Sequence, residues 1–204
     1  PSKLIIGLQH GDEGKGRVVD DLCQNWAEVV VRFQGGGNAG HTVYDSEGKK
    51  HVTHILPVGI LTKGVKSYIA KGCVLNPIDL AKEIKEFNVS PENLQISGLT
   101  PIIEPYHLWL DQVKYQGKIG TTAKGIGPAY SSFYARDSIL FKDFVNNFRE
   151  SYSKIVSNIE SFLNTNEEIK FDNEFYLKLL EDYVIKTKEI LANMHHLLDD
   201  LKMP

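Results

Sequence analysis

The chain has 204 residues, 42% of them hydrophobic, with a formal net charge of −3. That is enough for a sizeable core, and it excludes the global basic field of a nucleic-acid-binding domain. No apolar run is long enough to span a bilayer, and the opening "PSKLIIGLQ" lacks a secretory leader's long apolar region, so the expectation is a cytoplasmic protein that uses neither membrane nor nucleic acid.

The elements follow in chain order. "KLIIGLQ" (3–9) reads as a short buried strand. A glycine-bracketed loop comes next. A helix is then expected over 13–27, with Val18, Val19, Leu22 and Trp26 at helical spacing. "EVVVRFQ" (28–34) is β-branched and predicts the second strand, and "HVTHILP" and "SYIAKG" are further strand candidates. A helix is predicted over 76–87, capped by Asn76 with Pro77 in its first turn. "LQISG" reads as a strand, and "PYHLWLDQVKYQG" as a helix stopping at Gly117. Alternating strands and helices favour a mostly parallel central sheet with flanking helices over residues 1–140. Residues 141–204 read as a helical hairpin packed on that region. Its first arm carries Phe148, Tyr152, Ile155, Ile159 and Phe162, and its second runs from Leu177 to Leu201. These stripes either cover the α/β core or form a self-association seam. Cys23 and Cys73 match no metal or redox spacing and read as reduced packing residues.

Three clusters carry the chemistry. The loop "QHGDEGKG" (9–16) follows a strand and opens a helix, the usual seat of a phosphate. It is not a Walker A loop, because Gln9 and Gly16 stand where that pattern needs Gly and Ser or Thr. Lys15 can meet a phosphate as a point charge. Asp12 and Glu13 repel phosphate, so the loop must hold a metal ion or move a proton as well. The plain alternative is a tight turn with solvated charges. In the second cluster, "RFQGGGNAGHTV" (32–43), the glycine run lets backbone approach a ligand. Gln34 and Asn38 can read polar edges there, and His41, placed in a loop after a strand, can exchange a proton near neutral pH. The third cluster, "GKIGTTAKGIGPAYSSFYAR" (117–136), reads as a glycine-rich loop. Its hydroxyls and amides suit a second phosphate, with Lys124 or Arg136 neutralising it; the alternative is a surface loop. Two phosphate sites together point to phosphoryl transfer between nucleotides. His51, His54, His107, His195 and His196 read as structural or exposed.

"GLQHGDEGKGRVVDDL", "VRFQGGGNAGHTV", "HILPVGIL" and "IGTTAKGIGPAY", in this order and spacing, closely resemble the adenylosuccinate synthetase family. The resemblance implies a ligase that joins IMP and L-aspartate using GTP and Mg²⁺. A base takes the hypoxanthine ring proton, the γ-phosphoryl group of GTP passes to the six-oxygen of IMP, and aspartate's amine displaces phosphate. Carried over by motif, Asp12 resembles the base and a Mg²⁺ ligand. His41 resembles the acid that stabilises the transferring group, and Gly40 a Mg²⁺ ligand through its carbonyl. Glu13, Lys15 and Asn38 resemble IMP or phosphate contacts, and Thr122 a contact to the IMP phosphate. Gly11, Gly14, Gly16, Gln34, Ala39, Thr42 and Thr121 complete the implied nucleotide-binding set. Arg136 resembles the arginine that reaches the IMP of a neighbouring subunit, which implies a homodimer. Departures from the usual pattern are His10, Lys71 and Ala123–Lys124, and none removes a catalytic group. The resemblance is to the N-terminal half of a family member. The aspartate loop and the guanine-reading segment fall outside it, so this chain alone is expected not to make adenylosuccinate. Two other readings stay open: a synthetase acting on a 2-amino-substituted purine nucleotide, and a non-catalytic purine-nucleotide-binding fragment or subunit.

Overall fold

The computed structural model describes residues 1–165 apart from 10, 12, 45–47, 91 and 116–120. In chain order the elements are α1 (Lys15–Asn25), β1 (Val29–Arg32), β2 (His41–Tyr44), β3 (Lys50–Thr53), β4 (Lys66–Ile69), α2 (Pro77–Glu86), β5 (Leu94–Ile96), α3 (Pro105–Tyr115), α4 (Ile126–Ala135), α5 (Phe141–Asn146) and α6 (Phe148–Thr165). A 3-10 turn at Val58–Leu61 precedes β4. The sheet runs β1-β4-β5 and is parallel throughout, with Val29 opposite Lys66 and Ser67 opposite Leu94. β2 and β3 form a separate antiparallel hairpin in which His41 faces Thr53.

Local chemistry explains most of these boundaries. α2 begins where Asn76 Oδ1 accepts the amides of Ile78 and Asp79, at 3.0 and 3.3 Å, with Pro77 opening the helix. The core joins the sheet to α2 and α5: Ile69, Leu80, Leu94 and Ile96 pack in one cluster with Phe141 and Phe144. Ile155 and Ile159 of α6 join that same cluster, so this part of the amphipathic stripe covers the α/β core. The second arm of the expected hairpin lies outside the described residues. Cys23 and Cys73 are free and buried, and burial pushes both thiols up to about 11, which makes them inert packing groups.

The structure corrects four expectations. Residues 3–9 form no strand: a strand needs a ladder, and no described strand pairs with them. Leu4, Ile6 and Leu8 stay largely exposed, as do Val29 and Val31 on the adjacent edge strand β1. The strand candidate at 51–57 ends at Thr53, because the next amides turn away to a side chain of α2. His41 opens β2 rather than lying in a loop. The stretch 117–136 is not loop throughout, since Ile126–Ala135 is helix α4, whose apolar residues pack on Val74 and Ile103.

One polar group sits badly in this core. Glu104, just before α3, is fully buried, and neither carboxyl oxygen has a hydrogen-bond partner. Burial pushes its carboxyl up from 4.5 to about 7, only partly offset by the polar groups of the Asn158 side chain and the Ile139 backbone, which lie near without forming a well-aligned bond, and by the charge of Lys154. The folded chain therefore holds a proton that the unfolded chain releases above 4.5. The contribution of this group to stability should be fully present below 4.5 and be lost as pH rises to about 7. A displacement of that size corresponds to roughly 3 kcal/mol. Denaturant unfolding across pH should show this decline, and Glu104→Gln should abolish it and leave the chain more stable than wild type at pH 8.

Candidate functional site

The site is built where β1 ends. Arg32 closes the strand and its guanidinium grips two backbone carbonyls: Nη1 donates to His54 O, and Nη2 to Gly36 O at 2.6 Å. Phe33 to Gly37 then turn across the sheet's carboxyl edge, where parallel sheets bind ligands. Gly72 passes this turn so closely that an added Cβ would lie 2.2 Å from Phe33 O, which only glycine avoids. Tyr130 of α4 locks the two turns together. Its hydroxyl donates to Gly72 O at 2.8 Å and accepts the Gly35 amide at 2.9 Å.

A cleft of about 820 Å³ opens over this edge, large enough for a nucleotide. Lys15, Gly16, Gln34, Asn38, Ala39 and His41 line it. The apolar wall includes Ile6, Val31, Phe33 and Pro57, with Tyr130 and Tyr134 on the α4 side. α1 begins at Gly14, which offers no side-chain cap, so the first amides of the helix stay open beside Lys15.

Electrostatics tie the first loop together. Glu13 accepts the Gln9 amide at 2.9 Å and pairs with the Lys15 ammonium. The bond from Lys15 holds the Glu13 carboxyl down at about 2. Glu13 is thus a brace, and an incoming phosphate would compete with it for Lys15. His41 packs on α1, with its Cβ 3.1 Å from where a side chain on Gly16 would begin. Burial first, then the positive charges of Arg32 and Lys15 and the neighbouring His54, lower its pKa. The imidazole is therefore neutral near pH 7 and offers one N–H and one lone pair to the cleft.

The expected site residues divide into three groups. Lys15, Gly16, Gln34, Asn38, Ala39 and His41 meet in the cleft, and Gly11, Glu13 and Gly14 belong to the same loop. Gly40 lies against the His54 ring, and Thr42 is an exposed β2 residue opposite Val52. Thr121, Thr122 and Arg136 are exposed and do not line the cleft. Thr121 donates to Asp111 at 2.8 Å, Arg136 ends α4 in a left-handed conformation, and Lys124 lies 3.6 Å from Asp79. Asp12 lies outside the described residues.

Several supporting residues escape sequence reasoning. Asp111 accepts both the Thr121 hydroxyl and the Gly125 amide at 2.8 Å, fixing the third glycine loop from α3. His107, in keeping with its structural reading from sequence, is lowered by burial to about 3, stays neutral and bonds the Glu104 amide and the Ser132 hydroxyl. Asp111 and His107 share a helix face at i and i+4, a signal that separates them from solvated residues but not from ordinary packing. Tyr130 gave no signal of its own beyond following a glycine-rich stretch.

The family model and the curated relatives agree on one family. The family model described as adenylosuccinate synthetase matches residues 4–203. The chain is 41% identical to an adenylosuccinate synthetase of Enterococcus faecalis, over 93% of this chain and 48% of that protein. It is 40% identical to that of Psychrobacter cryohalolentis, over 98% of this chain and 48% of that protein. The chain therefore spans about half the length of these curated relatives. Among solved structures it is similar to the fully ligated adenylosuccinate synthetase of Plasmodium falciparum, with a TM-score of 0.74 and 31% identity, covering 90% of this chain and 44% of that one. It also shares a fold with the succinoaminodeoxyadenylate synthetase of cyanophage S-2L, with a TM-score of 0.59 and 24% identity, over 68% of this chain and 40% of that one.

Tyr130→Phe should leave the Gly35 amide and the Gly72 carbonyl without their shared partner. We expect a loss of about 1–2 kcal/mol in denaturant unfolding, together with faster solvent exchange of the Gly35 amide.

Proposed function

The chain belongs to the adenylosuccinate synthetase family, and from that premise we propose that it carries the IMP- and phosphate-handling half of a ligase that joins IMP to L-aspartate at the expense of GTP. The observation that carries this reading is the meeting of all four family motifs at one cleft. Lys15 and Gly16 come from the first, Asn38 and His41 from the second, Leu56 and Pro57 from the third, and Tyr130 from the fourth.

The roles follow from position. Lys15 and the open amides of α1 suit phosphate oxygens, and Lys15 is released from Glu13 as the negative charge arrives. Asn38 faces the cleft from the glycine run and suits the polar edge of the purine. Asp12 takes the ring proton. His41, neutral in the free chain, donates its N–H to the transferring phosphoryl group, whose negative charge raises the imidazole's proton affinity. Thr121, Thr122 and Arg136, away from this cleft, serve a second phosphate, Arg136 across a homodimer interface. Among the described residues no three His, Cys, Asp or Glu side chains converge to hold a metal. Mg²⁺ rests on one or two protein oxygens and on substrate phosphates. Asp12 and the Gly40 carbonyl would hold it, and when bound it neutralises charge on the phosphates.

Titration calorimetry should show IMP binding to the 204-residue chain. dGMP, which carries a 2-amino group, should bind more weakly, in keeping with 40–41% identity to the adenylosuccinate synthetases. Heat from GTP with none from IMP would overturn the assignment of loops to ligands. Mixed with IMP, GTP, Mg²⁺ and aspartate, the chain alone should yield no adenylosuccinate by chromatography, because the reaction needs three ligands held at once. In a complete enzyme carrying this half, Asp12→Asn should lower turnover ~10²–10⁴-fold or more, with the fold retained. His41→Asn should do the same, and more than a tenth of wild-type rate in either variant would contradict its role.

A further inference from the structure

The turn at His54–Leu56 runs directly beneath the cleft and makes no strand ladder. Its amides go instead to one side chain of α2. The carboxylate of Glu83 accepts His54 N–H at 2.8 Å, Ile55 N–H at 3.0 and 3.1 Å, and Leu56 N–H at 3.0 Å. Glu83 is 6% exposed and lines no part of the cleft. A buried carboxylate with three amide donors is a strong, directional clamp.

What the clamp holds explains its interest. The carbonyl of His54, the first clamped residue, is one of the two that Arg32 grips, and the other belongs to Gly36. The His54 ring stands 3.2 Å from where a side chain on Gly40 would begin. Thr53, just before the turn, is the β-partner of His41. The 36–41 loop is therefore held against the turn at three places, and the turn is held by Glu83.

We propose that Glu83 is a positioning residue for the cleft. By fixing the 54–56 turn, it sets Arg32 and His54, and through them the loop that presents Asn38 and His41 to the nucleotide. This rests on the nucleotide reading of the cleft. The linkage runs through the Arg32 guanidinium, which spans two backbone carbonyls, and through the His54 ring against a bare glycine, so a loosened turn is passed on to the loop.

The experiment uses the isotope-labelled 204-residue chain with IMP as probe. Glu83→Gln keeps the shape and one acceptor oxygen but removes the charge. The amides of His54, Ile55 and Leu56 should move upfield and exchange about tenfold faster. The guanidinium signal of Arg32 should lose its protection, and IMP affinity should fall about tenfold, with core methyl signals unchanged. A Glu83 that serves only the fold would lower the unfolding midpoint and leave IMP affinity and the Arg32 signal as in wild type; that result overturns the inference. Should Glu83→Gln fail to fold, Arg32→Lys reads the same linkage from its other end. It keeps the charge but cannot grip both carbonyls, and a folded Arg32→Lys chain with wild-type IMP affinity also overturns the inference. If IMP binds not even the wild type, the nucleotide reading fails, and the amide and Arg32 signals still decide whether Glu83 fixes the loop.

Discussion

The grip of Arg32 on the carbonyls of His54 and Gly36 is the interaction on which the cleft depends. Parallel strands deliver their loops to one edge of a sheet but do not shape them. Here the glycine run 35–37 has no side chains with which to hold itself, so its position comes entirely from neighbours. Arg32 holds it from the strand and Tyr130 from α4, with Gly72 passing close beneath. A planar guanidinium can serve two acceptors at fixed angles, which an ammonium cannot. The bareness of the loop leaves its backbone open to a ligand, and the residues that compensate for that bareness surround it.

The first loop solves a different problem with the same economy of parts. A lysine aimed at a phosphate site repels the positive end of the helix it opens. Glu13 neutralises Lys15 and also takes the Gln9 amide, so it ties the start of α1 back to the first residue of the loop. This accounts for one of the two acidic residues in a phosphate-type loop without invoking chemistry. The other, Asp12, is the one whose proposed role is chemical. On that proposal the two adjacent carboxylates divide into a brace and a reacting group.

Sequence alone made the elements legible where the chemistry is local. Asn76–Pro77 announced α2, a β-branched run announced β1, a short apolar stretch suggested β4, and the glycine clusters marked the loops at the sheet edge. It failed where a residue's partner lies far along the chain. The pattern of 3–9 is that of a strand, yet side-chain alternation says nothing about whether a ladder partner is present. The turn after Thr53 is set by Glu83, about 28 residues later in sequence, whose spacing on α2 resembles that of any solvated helix glutamate. α4 was hidden because Gly125, Gly127 and Pro128 look like loop residues, whereas here Gly125 caps the helix and Pro128 sits in its first turn. Within the site, Lys15, Asn38 and His41 were legible as candidates from residue type and glycine context. Arg32, Tyr130 and Asp111 were not, because their function is to hold backbone, and any arginine, tyrosine or aspartate could be buried for that purpose.

The most direct test of this account is to map the IMP site on the ¹⁵N-labelled chain by amide chemical-shift changes. The account predicts that the largest changes fall on Gly16, Asn38, Ala39 and His41, with smaller ones at Gly35 and Gly72. Changes confined to the surface around Asn146, Arg149 and Ser153, or spread over the exposed apolar edge at Leu4 and Val29 while the cleft residues stay unmoved, would contradict it.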